Sequence, residues 1–185
     1  MTQNDLQWVD DVLGFWFEDL TPPQWFKKDA AVDAIIHQRF ANVHATVMTT
    51  PNAALLLNAK TALAAIIALD QFPRNIFRAD PRAFASDAKA LVLAVAAVDA
   101  GLDQQCAQAQ RLFVYLPFEH SEDPAMQVRS LALISRLGNP ELTRYAEAHK
   151  VIIDRFGRFP HRNAVLGRAT TPEEEAFLKE PLSSF

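Results

Sequence analysis

Residues 139–156, NPELTRYAEAHKVIIDRF, show most clearly the pattern from which we predict a helical fold. The apolar and aromatic positions of this stretch recur at steps of three and four, which places them on one face of a helix: Leu142, Tyr145, His149, Ile152 and Phe156. Asn139 can accept hydrogen bonds from the first turn, and Pro140 fits the first helical position because its missing N–H would be unpaired there. The stretch therefore predicts an amphipathic helix at 140–155 that begins at a cap residue followed by proline.

The same pairing of a cap residue with proline marks further helix starts along the chain. The other pairs are Thr21-Pro22, Thr50-Pro51, Asp80-Pro81, Asp123-Pro124 and Thr171-Pro172. Glu174 gives the last pair the capping-box pattern, and Gly101 and Gly138 mark helix ends. Together with the helical spacing between these signals, they predict helices at 4–18, 22–28, 29–48, 52–70, 80–85, 86–100, 104–115, 123–137, 140–155 and 171–179. Sustained strand-like alternation is missing, so we predict no β-sheet.

These elements predict an all-α fold in which residues 1–185 form a single domain, a length that can bury a sizeable core. The helices at 52–70 and 86–100 are apolar nearly all round, so we expect them at the centre with amphipathic helices wrapped around them. No low-complexity segment or long linker divides the chain. The aromatic residues near the N-terminus predict core packing, with an exposed groove as the alternative: Trp8, Phe15, Trp16, Phe17, Trp25 and Phe26.

Composition excludes several classes of protein. The net charge of −4 argues against a general nucleic-acid binder. The single cysteine, Cys106, excludes an internal disulfide framework and fits a reducing compartment. Residues 1–10 lack the apolar core of a signal peptide, and the longest apolar stretch, 53–69, contains polar residues and is short for a membrane span. We therefore expect a cytoplasmic protein with no membrane or nucleic-acid partner.

Two related turns stand out from this apolar background. Asp70 is followed by Phe72-Pro73 and then Arg74-Asn75, and Asp154 is followed by Phe159-Pro160 and then Arg162-Asn163. If both turns face one cavity, their donors could hold a carboxylate or phosphate. The candidate ligand-binding residues are then Arg74, Asn75, Arg78, Arg158, His161, Arg162 and Asn163. The alternative is structural, because arginine can cap helix ends and asparagine can start the next helix.

A third polar turn, at 118–124, carries His120 beside a helix N-terminus that would favour a neutral imidazole. His120 is the candidate proton carrier, Glu122 or Asp123 could orient it, and Asp70 could share a proton or hold an arginine. In the structural alternative the turn only caps the next helix. His149 points inward and is either a core residue or a ligand. We predict no metal site and no cofactor, because no established ligand spacing occurs.

Three functions remain open from the residues alone. The first is a pocket for a small anionic molecule, either a binding site or an active site, which requires the turns at 70–78, 118–124 and 155–168 to converge. The second is a helical module that binds a peptide or a protein partner in a groove. The third is a set of ion pairs that only fixes the order of the helices, with Asp70, Asp87, Asp154 and Glu122 as the arginines' partners. The oligomeric state is open.

The longer motifs resemble a bacterial family known as "domain of unknown function 924", from about Val9 to Leu178. The matching segments are VLGFWF at 12–17, WF at 25–26, DQFPRNIFR at 70–78, AFASD at 83–87, HSED at 120–123, RFGRFPHRN at 155–163 and LGR at 166–168. The resemblance implies an all-helical fold similar to right-handed, tetratricopeptide-like superhelices, and it implies no activity. The chain departs from the family's pattern at Phe118-Glu119, where the resemblance leads us to expect more apolar residues.

Overall fold

The computed structural model describes residues 7–184, and all regular structure within them is helical. The predicted all-α class is confirmed. The first six residues, which include the start of the predicted helix 4–18, lie outside the described part. The α-helices are α1 (Gln7–Gly14), α2 (Pro22–Phe26), α3 (Ala30–Thr49), α4 (Asn52–Leu55), α5 (Ala59–Asp70), α6 (Phe72–Ile76), α7 (Asp87–Asp99), α8 (Gln108–Glu119), α9 (Pro124–Ser135), α10 (Pro140–Phe156) and α11 (Pro172–Phe177).

Local capping explains most of the helix starts. The side chains of Asp80, Asp123, Asn139 and Thr171 accept hydrogen bonds from backbone N–H groups two or three residues ahead. The capping box of Thr171 with Glu174 is confirmed. Gly101 and Gly138 follow α7 and α9 with φ angles of 69° each, a left-handed conformation that glycine adopts without strain.

The two central helices differ from the prediction. The segment at 52–70 is two helices, because Asn58 accepts a 2.9 Å hydrogen bond from the N–H of Thr61 and starts α5. Within α5 every residue except Lys60 is buried, and α5 packs against α1, α3, α7 and α8, so it is the central helix. By contrast, α7 buries only one face and leaves Val92 53% exposed, so the expectation that it is covered on several sides was wrong.

Helix α8 also departs from its predicted range of 104–115. It starts at Gln108, after a 3₁₀ turn at Asp103–Gln105, and continues through Pro117 to Glu119. Proline disfavours a helix interior, but residues 112–119 are all buried. Tertiary packing therefore outweighs the local preference and carries the chain into His120 at the helix end.

Most of the N-terminal aromatic residues pack into the core as expected. Trp16 is 1% exposed, and its ring meets Phe72 and Phe113 edge to face. It lies in a five-residue π-helical turn, Phe15–Asp19, and its carbonyl accepts a 2.7 Å hydrogen bond from Trp25 Nε1. Phe26 is the exception, since it is 61% exposed. Cys106 is buried. No described helix combines the length and apolar character needed to cross a membrane.

Candidate functional site

A cleft of about 410 Å³ opens where the C-terminal end of α8 meets the start of α7 and the turn after α10. Its wall includes Phe84, Asp87, His120, Ser121, Glu122 and Arg162. Asp70 and Arg74 are not part of the wall but contact residues that are: Asp70 contacts His120, and Arg74 contacts Asp87. Residues from all three polar turns therefore meet at one place in the fold.

The first part of the site is a pair formed by Asp70 and His120, which are 50 positions apart in the chain. Asp70 ends α5 with a side chain that is 1% exposed, and its Oδ1 lies 2.8 Å from Nδ1 of His120. Burial raises the pKa of Asp70, but the charges of His120 and Arg74 and two side-chain hydrogen bonds outweigh it and lower the pKa to about 2. The ionised carboxylate therefore holds the imidazole proton on Nδ1 and leaves Nε2 as an acceptor.

Burial also lowers the pKa of His120, and the charge of Arg74 acts in the same direction, while Asp70 opposes both. The imidazole is consequently neutral near pH 7. Its side chain is 15% exposed and lines the cleft. A neutral, oriented imidazole with one free lone pair can accept a proton from a bound molecule or from water.

The second part of the site is one carboxylate shared by two arginines. Asp87, the first residue of α7, accepts two hydrogen bonds from Arg74, at 2.9 and 3.0 Å. The contact of this carboxylate with Arg162 is longer, since Oδ2 lies 3.5 Å from Nη1. The guanidinium of Arg162 lies between the rings of Phe84 and Phe159, 4.8 and 4.5 Å from their centroids. Asp87 therefore neutralises Arg74 well and Arg162 poorly.

Arg162 is an incompletely compensated cation in a protected position. Its side chain is 8% exposed, and its buried Nε has no hydrogen-bond partner among residues 7–184. Burial, followed by the charge of Arg74, lowers the pKa of Arg162 to about 10. An anion placed in the cleft would supply the negative charge that Arg162 lacks.

Glu122 does not orient His120 as expected. It accepts hydrogen bonds from Arg168 at 2.7 and 3.0 Å and from the N–H of Phe159 at 2.8 Å. Asp123, the other expected partner, caps α9 through the N–H of Ala125. The role that the sequence suggested for Glu122 belongs to Asp70, and Glu122 instead joins the 118–124 turn to the turn after α10.

Several of the predicted ligand residues lie outside the cleft. Asn75 and Arg78 both bind Asp33 on α3, with Arg78 at 2.6 and 2.7 Å. Arg158 binds Glu174 at 2.6 and 2.8 Å and so joins the end of α10 to α11. For these three residues the structural interpretation is the one that their contacts support.

Two further expectations concern Asn163 and Asp154. Asn163 is fully buried, and its Nδ2 lies 3.4 Å from Oγ1 of Thr170. Asp154 pairs with Lys150 rather than with an arginine, at 2.5 Å. Neither side chain is part of the cleft wall.

Three more titratable side chains lie behind His120. The ring of His149 is 6.4 Å from that of His120, and its Nδ1 lies 2.9 Å from the carbonyl of Tyr145 and 3.4 Å from Oε1 of Glu119. Burial lowers the pKa of His149 to about 3 and that of His161 to about 4. Burial, followed by the charge of Asp70, raises the pKa of Glu119 to about 8. These groups are mostly uncharged at pH 7.

The described residues contain no group of three or more histidine, cysteine or carboxylate side chains that could hold a metal ion. The sequence suggested Asp87 only as a partner of an arginine, which its pair with Arg74 confirms. It did not identify Arg168, although both residues lie in segments that carry the family resemblance. Glu119 was visible only as a polar residue where the resemblance favours an apolar one.

The comparisons with known proteins agree on the family. The family model for a bacterial protein of unknown function, DUF924, matches residues 12–182. A solved structure of a protein of unknown function from Agrobacterium tumefaciens is similar to this chain, with a TM-score of 0.88 and 42% identity over 92% of this chain and 96% of that one. The search of curated proteins gives no match. The chain therefore belongs to the DUF924 family, whose description assigns no activity.

Proposed function

We propose that the cleft binds a small anionic molecule through Arg162 and that His120 exchanges a proton with this molecule. The observation that carries the proposal is the buried Asp70–His120 pair, which lines the same cleft as a poorly compensated arginine. The reaction class is general acid–base catalysis on a substrate that carries a carboxylate or phosphate group.

The proton-transfer half of the proposal rests on the tautomer of His120. Asp70 accepts a hydrogen bond from Nδ1, so the basic lone pair is on Nε2. In that arrangement the carboxylate also stabilises the imidazolium that forms when Nε2 takes a proton. Because Asp70 is itself held by Gln71 Nε2 at 2.5 Å, the imidazole has a fixed position before the substrate arrives.

The anion-binding half rests on the competition for Asp87. Arg74 takes both oxygens of this carboxylate, so Arg162 keeps most of its donors for another acceptor. A guanidinium enclosed by two aromatic rings is shielded from water, and an anion would therefore bind it more strongly than at an open surface. Planar carboxylates and phosphates both fit the guanidinium fork.

The purely structural interpretation is the second candidate, and a specific observation favours it. Arg74, Arg78, Arg158 and Arg168 all lie in ion pairs that join separate segments of the chain. In this interpretation Arg162 would also serve only to hold Phe84 and Phe159 together. The two candidates differ in whether an anion stabilises the folded protein through Arg162.

A thermal-unfolding titration with inorganic phosphate and with malonate tests the binding half. An anion that binds only the folded state raises Tm by mass action, so we expect a rise for the wild type that Arg162→Met loses while staying folded. Arg144→Met is the matched control, because Arg144 is exposed and is not part of the cleft wall. An unchanged Tm in the wild type with either anion, or an equal rise in Arg162→Met, would refute anion binding at this site.

The proton-transfer half needs a separate measurement. In ¹⁵N-edited NMR of the histidine side chains, the proton of His120 should stay on Nδ1 in the free protein, and its pKa should rise when phosphate or malonate binds nearby. Asp70→Asn should change the tautomer populations without abolishing anion binding at Arg162. A His120 signal that ignores the bound anion would remove the imidazole from the proposed mechanism.

We also infer two coarser properties. The successive helices α8, α9 and α10 pack as neighbours, which supports a tetratricopeptide-like array of helix pairs. A single buried cysteine supports a cytoplasmic location, where thiols stay reduced. The handedness and pitch of the helical array in a crystal structure would test the first property. Cell fractionation would test the second.

A further inference from the structure

A second cleft, of about 400 Å³, lies between the ends of α7 and α9 and the first half of α8. Its volume falls within the range of roughly 300–1,000 Å³ that is common for small-molecule sites. Its wall combines apolar side chains with four polar ones, which are Asp103, Gln104, Arg111 and Tyr115, and with Arg136 at the end of α9. None of these residues takes part in the cleft of His120.

The two arginines of this second cleft differ from most others in the protein. Nine of the twelve arginines form ion pairs with carboxylates, whereas Arg111 and Arg136 form none within the described residues. Arg111 is held by backbone carbonyls instead, with Nε 3.1 Å from the oxygen of Cys106 and Nη2 3.3 Å from that of Gln104. Its orientation is fixed while its charge is not compensated by a carboxylate.

The opposite charge in the cleft comes from Asp103, which is 2% exposed. Its Oδ2 accepts hydrogen bonds from Tyr115 at 2.7 Å and from Gln104 at 2.6 Å. Its Oδ1 has no partner among residues 7–184. Burial, with the hydrogen bond to Asp103, raises the pKa of Tyr115, so the phenol keeps its proton and remains a donor to Oδ2. Both hydrogen bonds fall on Oδ2, so Oδ1 can accept a hydrogen bond from a donor on a molecule bound in the cleft.

We propose that this second cleft binds a zwitterion, namely an α-amino acid with an apolar side chain. The ammonium group of the ligand would donate to Oδ1 of Asp103, and its carboxylate would accept from Arg111 and Arg136. Val98, Leu133 and Leu137 form the apolar part of the wall and would contact the ligand's side chain. An anion alone would add no donor for Oδ1 of Asp103, and an amine alone would bring no carboxylate to the two arginines.

Titrations followed by ¹H–¹⁵N NMR test this proposal with L-leucine as the probe. Two analogues separate the charges: 4-methylpentanoate lacks the ammonium group, and 3-methylbutylamine lacks the carboxylate. We expect L-leucine to cause saturable shifts in the amides of residues 98–115 and 133–138. Each analogue should bind at least about tenfold more weakly than L-leucine, as expected for loss of a charged hydrogen bond. Equal binding of L-leucine and either analogue would overturn the assignment, and so would an absence of shifts at millimolar L-leucine.

The variants localise the binding. Arg136→Met should weaken L-leucine binding about tenfold, and because Arg136 is exposed, the variant should fold normally. Asp103→Asn should weaken it as well; if that variant does not fold, Arg136→Met and the two analogues still decide the question. Arg162→Met, which alters the other cleft, should bind L-leucine as the wild type does. Loss of binding in Arg162→Met, or full binding in Arg136→Met, would contradict the proposal without bearing on the function proposed for His120.

Discussion

Replacing Glu119 by glutamine should remove a pH-dependent cost from the folded state. Glu119 is the last residue of α8 and is 5% exposed, and its carboxyl faces the charge of Asp70. Burial, with this charge, raises its pKa from 4.5 to about 8. The folded protein therefore keeps the proton over a pH range in which the unfolded chain has already lost it.

The size of the effect follows from that difference in protonation. Above pH 4.5 the unfolded state gains stability by ionising Glu119, so the free energy of unfolding falls by up to about 1.4 kcal/mol per pH unit until the folded carboxyl also ionises near pH 8. Between pH 5.5 and 8 this amounts to about 3 kcal/mol. Glutamine has a similar volume and cannot ionise, so Glu119→Gln should gain about this much stability on the wild type over the same interval.

Urea unfolding followed by circular dichroism, at several pH values from 5.5 to 8, measures this difference. Glu147→Gln is the matched control, because it removes an exposed carboxylate from α10 and should follow the wild type at every pH. The other titrating groups are common to both proteins and cancel in the comparison. If the curves of unfolding free energy against pH run parallel for the wild type and Glu119→Gln, Glu119 is ionised in the folded protein and the reasoning is wrong.

Three further changes have definite expected outcomes. Asp70→Asn should cost about 3–5 kcal/mol in urea unfolding, because a buried charge network loses one partner, and NMR titration should show a lower pKa for His120, which Asp70 otherwise raises. The free energy of unfolding should fall as the pH falls below 6.5, because His149 and His161 have pKa values of about 3 and 4 in the folded protein. Between these values and pH 6.5 only the unfolded chain takes up protons on the two histidines. His161→Gln should make the free energy of unfolding depend less steeply on pH in this range. Lys89→Met should lower the free energy of thermal unfolding by about 1–2 kcal/mol, because the Lys89 ammonium donates to three backbone carbonyls at the end of α3.

Local signals in the sequence were enough to define most of the helices. Pro124, Pro140 and Pro172 each start a helix where the cap residue before them predicts one, because capping depends on a few neighbouring atoms. The break before α5 was missed because Leu55, Leu56 and Leu57 continue the apolar run and conceal the cap at Asn58. The predicted helix end at residue 115 lies before Pro117, whereas burial of residues 112–119 keeps the helix intact to Glu119.

The site was predictable in part and for a different reason. Composition identified the three polar turns, but the site is built by contacts between residues 50 or more positions apart, such as Asp70 with His120 and Asp87 with Arg162. Proximity in the chain suggested Glu122 as the partner of His120, and packing gave that place to Asp70. The sequence also did not distinguish arginines that hold the fold, such as Arg78, from the one that remains poorly compensated.

Asp87 and Arg162 are 75 positions apart in the chain, so their contact can form only after most of the chain has been synthesised. A chain released from the ribosome only as far as α9 holds Asp70, Asp87 and His120 but lacks the second arginine of the cleft. The contact between Asp87 and Arg162 requires the turn after α10, which such a chain does not yet include. A chain that ends before residue 162 would therefore lack Arg162, the cation that the proposed function assigns to the bound anion.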